Sequence, residues 1–441
     1  MCLMFPTLSC MGGWGYIPPP EKVNFGVDFA VGPCGSVYVA GGAGSDPNAF
    51  LRFVTSKYSK EGKCLWEQRY DGPVGGHGLC SGLVVDKNGN AFVTGVIPEG
   101  DSVYHGRRIA TTIKYDADGK QLWISTYDTP KADSFFPTDI VIDATGDIYL
   151  VGEYWIDNPL LSGIWPDPDV GPTNSLTTVK YDSRGRQLWS IRHNDYKKNE
   201  YSEPSIMVDR ANNIYVTSKL SVHCEDIAPR YFTTVKYSSN GKQLWASQYT
   251  EHAGSFKWVA ALTVDAKQNV FITGSSATKD FSDLLVIKYD RNGMQQFLAR
   301  HRRPGSVWVE PEDIALDQAG NVYVAGTERP RERDSLEGPE KVQNHVDCLL
   351  KQDPVTLKYD ASGKKQWEAR YNSPRDATVS VRNVIVDDRK KNIYVLGFVA
   401  PNWYTSEGLV ITYDPNGTQK SVRRLKNVSE LVKFLSSTGK K

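Results

Sequence analysis

Short apolar runs alternating with polar residues, closed by glycine, asparagine or aspartate, fill most of the chain. Alternation with period two marks half-buried β-strands, whereas an amphipathic helix repeats at 3.6 residues. Residues 83–127 show the rule in one stretch, as "LVVD", "AFVTG", "TTIKYD" and "KQLWISTY". A tight turn with glycine or asparagine joins the first two runs, and a D-x-x-G turn joins the last two; both turn types favour a positive φ. The four runs read as an antiparallel four-stranded meander.

The unit recurs. The tyrosine of K-Y-D-x-x-G-x-x-x-W returns at Tyr58, Tyr115, Tyr181, Tyr237, Tyr289, Tyr359 and Tyr413, spaced 52 to 70 residues apart. Glycine always follows four positions later, from Gly62 to Gly417. An aromatic follows eight positions later, at Trp66, Trp123, Trp189, Trp245, Phe297 and Trp367, and Ser421 takes that place in the last copy. A second phrase, V-D-x-x-G-N-V-Y-V-x-G, precedes each of these, and its first copy, "FAVGPCGSVYVAG", is degenerate. Four strands alone bury too little and expose their edges. Stacking the units around an axis covers both faces of each, so the repeat predicts an all-β, seven-bladed β-propeller of four-stranded antiparallel blades.

The two alternating phrases resemble the bacterial seven-bladed β-propeller repeat (SBBP repeat) family over roughly residues 25–425. That resemblance implies a secreted or envelope-associated protein without an assigned activity. Two other repeats are near misses. The sialidase Asp-box places its glycine and tryptophan three apart rather than four. The quinone-enzyme repeat carries a threonine that these copies lack, in eight units rather than seven.

Seven scattered copies of one phrase cannot converge on one substrate, so the repeated residues are expected to build rather than react. Their glycines suit positive φ. The first-phrase aspartates, Asp86, Asp143, Asp209, Asp265, Asp317 and Asp387, are expected to accept backbone N–H groups across their turns. The tryptophans are expected to pack between blades, each large buried side chain being worth ~1.5–3 kcal/mol.

Function is expected where the sequence is irregular. Loops after the second and fourth strands share one end of each blade, and two insertions leave from it, Glu153 to Ser175 and Thr327 to Asp353. Tyr154, Trp155, Trp165, Trp258, Trp308, Trp403 and Tyr404 form the aromatic set of this end, suited to protein or glycan contacts. Asp139, Glu312 and Asp313, with Arg382 and Asn383, lie just before the inner strands and are expected at the mouth of the central channel. The functional expectation is a non-enzymatic binding or scaffolding propeller whose ligand sits on the loop face. The alternative is an enzyme of lyase, hydrolase or quinone-dependent type with a site at the channel mouth.

Bulk properties narrow this further. The 441 residues are 40% hydrophobic and 23% charged, normal for a folded chain, and the net charge of +1 lacks the basic footprint of a nucleic-acid binder. No apolar run reaches the ~18 residues of a membrane span. Seven cysteines without a C-x-x-C pair point away from zinc or haem, and no cofactor is expected. "GLCSG", Gly78 to Gly82, has the G-x-C-x-G form of a nucleophile elbow but lacks the following helix, so it reads as chance. Residues 1–24 read as a leader; "TLSC" at Cys10 resembles the lipid-attachment end of a lipoprotein signal, without a basic start or a long apolar core. Residues 426–441 read as a tail or one short amphipathic helix. A monomer without a transmembrane segment is expected.

Overall fold

The computed structural model describes residues 24–43, 52–72, 78–98, 108–129, 133–155, 174–193, 199–222, 230–250, 256–277, 282–302, 306–330, 352–373, 378–402 and 405–437. They form seven four-stranded antiparallel sheets, each a meander of consecutive strands, and the fold is a seven-bladed β-propeller. Blade one holds β1 (Asn24–Val31), β2 (Val37–Ala43), β3 (Arg52–Tyr58) and β4 (Cys64–Tyr70). Blade two holds β5 (Leu79–Val85), β6 (Ala91–Pro98), β7 (Arg108–Tyr115) and β8 (Gln121–Thr126). Blade three holds β9 (Ser134–Ile142), β10 (Ile148–Trp155), β11 (Asn174–Tyr181) and β12 (Gln187–His193). Blade four holds β13 (Asn199–Val208), β14 (Ile214–Val222), β15 (Arg230–Tyr237) and β16 (Gln243–Thr250). Blade five holds β17 (Phe256–Val264), β18 (Val270–Ala277), β19 (Ser282–Tyr289) and β20 (Gln295–His301). Blade six holds β21 (Ser306–Leu316), β22 (Val322–Pro330), β23 (Asp353–Tyr359) and β24 (Lys365–Arg370). Blade seven holds β25 (Thr378–Asp387), β26 (Asn392–Asn402), β27 (Thr405–Tyr413) and β28 (Gln419–Leu425), and helix α1 (Val428–Ser437) follows. The chain divides into two compact units, Met1–Gly254 with Val428–Lys441, and Ser255–Asn427.

The repeated phrases do structural work at the tight-turn ends. Asp209 is typical of the first phrase: one carboxylate oxygen accepts the amides of Ala211 and Asn213 at 2.8 and 2.9 Å, and the other accepts the Asn213 amide group and the Tyr215 hydroxyl. The second phrase joins neighbours. Lys57 Nζ and Trp66 Nε1 of blade one both donate to the Ala117 carbonyl of blade two, at 2.8 and 3.0 Å. The same Lys-and-Trp pair reaches Ser183 from blade two, Ser239 from blade three and Pro415 from blade six. Each latch lysine also lies over an aromatic ring of its own blade, as Lys57 lies 5.2 Å from the Tyr38 centroid and Lys180 5.0 Å from that of Tyr149. Gly119 has a φ of 87°, and a Cβ there would meet the Trp66 ring at 2.7 Å. Glycine thus serves both the turn and the close approach of the indole.

Blade one breaks the rule and is repaired. Its first turn, Gly32 to Ser36, has no aspartate, and Tyr38 donates instead to the Gly89 carbonyl of blade two. Helix α1 packs on this end with Leu431, Val432, Phe434 and Leu435 buried, and Ser436 Oγ donates to the Gly35 carbonyl at 2.7 Å. Residues 428–437 thus form a helix seated on blade one. Its tight seat leaves no room for a side chain at Gly62, where a Cβ would lie 2.8 Å from the Ser429 carbonyl oxygen.

Candidate functional site

The first strand of a propeller blade borders the axis, and on it every second residue shares a face. On β21, Val309 and Pro311 are buried, while Trp308, Glu310 and Glu312 are half-exposed. On β25 of the next blade, Val379 and Val381 are buried, while Ser380 and Arg382 are half-exposed. Arg382 Nη1 lies 3.5 Å from Glu312 Oε2, which ties the two strands across the blade junction. The Glu310 side chain takes no hydrogen bond or ion pair among the described residues. Trp308, Glu310, Glu312, Ser380 and Arg382 thus form one strip of aromatic, carboxylate, hydroxyl and guanidinium groups inside the second unit. An aromatic face with polar groups spaced along a strand can hold a ligand that is both flat-sided and rich in hydrogen-bonding groups.

Several residues expected at this end do other work. Asp139 is 1% exposed, and its carboxylate accepts its neighbour Ile140 N at 2.8 Å and, from blade four, Ile206 N at 3.1 Å and the Ser205 hydroxyl. Asp313 does the same between blades six and seven, accepting Ile314 N and Val384 N at 2.8 and 2.9 Å, with the buried Asn383 also donating. Asp28 repeats the pattern between blades one and two through Leu83 N at 2.7 Å. Burial pushes the Asp28 carboxyl well up, the Leu83 amide opposes this, and repulsion from Asp139 adds to the rise. These aspartates pin one inner strand to the next, which corrects the expectation that Asp139 and Asp313 face the channel mouth as ligand groups.

Tyr154 is also corrected. Register places it on β10 opposite Phe135 and Ser175, fully buried, rather than on a loop surface. Its hydroxyl donates to Asp133, and the Arg192 guanidinium stacks 3.3 Å from its ring centroid. Burial, and then the bond to Asp133, push its hydroxyl up to about 12. Trp155 is half-buried with its indole N–H on Glu153 at 3.1 Å. Trp258 stands on β17 opposite Ser275. Trp165, Trp403 and Tyr404 lie outside the described residues, as does the leader before residue 24. Of the sequence candidates, the structure joins Glu312 to Arg382 at 3.5 Å and places Trp308 four residues earlier on the same strand. Glu310 and Ser380 were missed, although the two-residue spacing from Trp308 through Glu310 to Glu312 was readable.

A second polar group at the loop ends of blades five and six was also unforeseen. His301 is 3% exposed, with Nε2 3.1 Å from Glu328 and Nδ1 3.5 Å from Glu368. Arg370 bonds Glu328 at 2.8 Å and also holds Glu368, which accepts Lys365 at 2.7 Å. Burial alone would raise the Glu328 carboxyl, but His301 and Arg370 outweigh it and hold it down at about 2. Blades one, two and four place Tyr70, Tyr127 and Tyr249 where blade five has His301, against Phe53, Phe135 and Phe232. A charged cluster has replaced an aromatic slot, with His301 and Glu328 buried at its centre and Arg370, Glu368 and Lys365 partly exposed around them.

Other chemistry is weak. Cys80 continues along β5 with no helix after it, and burial followed by the Asp28 charge pushes its thiol up to about 12, the opposite of an activated nucleophile. Among the described residues no group of three or more His, Cys, Asp or Glu side chains is arranged to hold a metal ion, and no helix is long and apolar enough to cross a membrane.

No family pattern matches this chain, and no curated protein does. Solved structures do. The β-propeller domain of the Trilobed protease from Pyrococcus furiosus is similar at 9% identity and a TM-score of 0.47, covering 95% of this chain and 98% of that one. The polysaccharide lyase Uly1 is similar at 10% identity and a TM-score of 0.46, covering 81% and 82%. The NanB sialidase from Streptococcus pneumoniae, in a K499G mutant form, follows at 10% identity and a TM-score of 0.39, covering 90% and 67%. Likenesses this distant carry nothing about chemistry. What the chain itself establishes is a seven-bladed β-propeller.

Proposed function

We propose that this protein is a binding propeller that holds a protein or glycan ligand at the long-loop ends of its blades, with the blade-six and blade-seven strip as its contact surface. The observation that carries this reading is the strip itself: an aromatic, an unengaged carboxylate and an ion pair on adjacent inner strands, built from positions whose residues vary among the blades. A surface of mixed aromatic and polar groups on a rigid sheet binds without rearrangement. The rival reading, a lyase or hydrolase, draws on Glu310 and Glu312 as its acids and bases.

Arrays of glycans and of purified secreted proteins, probed with the whole chain and with Trp308→Ala and Arg382→Ala variants, test the proposal. Binding that both variants lose, with thermal unfolding unchanged, supports it. Ligands held equally by the variants would overturn the role of the strip. Turnover of a polysaccharide, read as new reducing ends or unsaturated products and lost in Glu312→Gln, would favour the rival. The repeat resemblance extends the proposal to a place in the bacterial envelope or outside the cell, with Cys10 as a lipid anchor. Fractionation and lipid labelling of a Cys10→Ser variant test that part.

A further inference from the structure

We infer that the tight-turn end of blade seven is a docking surface for an anionic lipid bilayer. The turn from β25 to β26 departs from its counterparts. In blades two to six, three residues separate the turn aspartate from the asparagine or aspartate that closes the turn, and at most one of the three is basic. Blade seven has four, Asp388, Arg389, Lys390 and Lys391, and the last three are exposed. The added residue also moves the closing asparagine. Asn90, Asn213, Asn269 and Asn321 each give their side-chain amide to the turn aspartate, whereas Asn392 gives its amide to Tyr394 and accepts Lys420 Nζ at 2.8 Å. Lys420 stands where blades one to four have a half-exposed leucine and blades five and six a glutamine. Four basic residues thus gather at one turn.

Only two acids answer them, and both are turned to backbone amides. Asp387 is buried and accepts the amides of Arg389 and Lys390 at 3.1 Å, and Asp388 accepts the Gln318 amide of blade six at 3.1 Å. Arg389, Lys391 and Lys420 form no ion pair among the described residues. Lys391 has a φ of 52°, a region that suits glycine, and blades two, three and six place Gly89, Gly146 and Gly320 in the same turn. A lysine kept in that conformation points to a use for its ammonium. The basic residues sit on the outside of a hairpin rather than around a cleft, so they meet a surface instead of enclosing a single phosphate. Ser421 holds the aromatic position of the repeat and Tyr394 is buried, so among the described residues of this blade no open ring stands at the turn to stack a nucleic-acid base. A layer of anionic headgroups offers many negative charges to exposed lysine and arginine without any pocket. Arg382 of the ligand strip lies five residues before Asp387 on β25, about 17 Å along the strand, so a bilayer at the turn leaves the strip uncovered.

The test is flotation of the whole chain, carrying Cys10→Ser so that no lipid anchor contributes, with vesicles of phosphatidylcholine alone and with vesicles holding about 30% phosphatidylglycerol. The expected result is binding to the anionic vesicles alone, weakening as salt is added. Lys391→Gly and Arg389→Gln should each lose about fivefold in affinity. Lys391→Gly removes the charge and relieves the positive φ together, so it keeps the fold and decides the matter if Arg389→Gln does not. Lys267→Gln, at an exposed lysine of the blade-five turn, should change affinity by less than about twofold. Equal binding to both vesicles, no binding by folded protein, no effect of Lys391→Gly, or an equal loss in Lys267→Gln would overturn the inference. Tighter binding of polyglutamate than of the anionic vesicles, at equal charge, would assign the surface to an acidic protein segment and overturn the bilayer.

Discussion

At the tight-turn ends, blade after blade repeats the same atoms: a lysine Nζ and an indole Nε1 on one carbonyl of the next blade. At the inner strands the blades disagree. In the first unit the half-exposed positions of β5 and β9 are Leu79, Ser81, Phe136 and Thr138, and Thr138 is already bonded to the Pro204 carbonyl at 2.9 Å. In the second unit the matching positions of β21 and β25 are Glu310, Glu312, Ser380 and Arg382. Repetition marks what every blade needs in order to pack. Departure from it, where no packing demand explains the change, marks where a ligand can be chosen.

The contrast can be broken first at blade one, where the turn aspartate is missing and α1 stands in for it. Truncation after Asn427 removes four buried apolar side chains, each worth ~1.5–3 kcal/mol, against the entropy of ordering the helix. A net loss on the order of 4 kcal/mol is expected, read from denaturant unfolding; an unchanged midpoint would mean that the helix is an ornament.

Trp123→Ala comes next. Its indole bonds Ser183 at 3.2 Å and fills the space over Gly185, so a loss of about 3 kcal/mol is expected. Trp189→Ala should cost about as much, since its indole bonds the equivalent carbonyl, Ser239, at 3.3 Å. A large difference between them would show that the latches are not interchangeable.

Glu328→Gln probes the buried carboxylate of the cluster that replaced an aromatic slot. Removing the charge leaves Arg370 and His301 with one carboxylate fewer, and a loss of about 2–3 kcal/mol is expected near neutral pH. The sign with pH follows from the lowered Glu328 carboxyl. Its contribution is complete above the ordinary carboxylate range and disappears as pH falls toward about 2. The wild-type stability should therefore drop more steeply than that of the variant in this acid window; parallel curves would remove Glu328 from the explanation.

The smallest effect belongs to Leu122→Gln. Leu65, Leu122, Leu188 and Leu244 are each about half-exposed in the first unit, whereas Gln296 and Gln366 hold that place in blades five and six and donate to turn aspartates. Stability should change by less than about 0.5 kcal/mol.

Blade number, strand order and turn chemistry were legible because each is written seven times in local patterns of period two and positive-φ glycine. The Lys57–Trp66 latch was half legible: packing between blades followed from the phrase, but its target carbonyl depends on a neighbour. The site was less so. Tyr154 reads as a loop aromatic in sequence, yet one more residue pair on β10 turns it into the core. Asp139 and Asp313 read as solvent-facing acids, yet bulges near them, at Val151/Gly152 and Pro311/Asp313, turn their carboxylates onto the next strand. His301 and Glu328 lie 27 residues apart and meet only across a blade junction. Such pairings follow from register and neighbour identity, which no local pattern encodes.

The most direct test crosses one residue from each end: Trp189→Ala and Glu310→Gln, each measured for unfolding midpoint and for binding of a ligand recovered from the glycan and protein arrays. The expected result is a crossed pattern, in which Trp189→Ala lowers the midpoint without changing affinity, and Glu310→Gln lowers affinity without changing the midpoint. A variant pair that moved both quantities together, or a Glu310→Gln protein that bound as the wild type does, would contradict the division between scaffold and site.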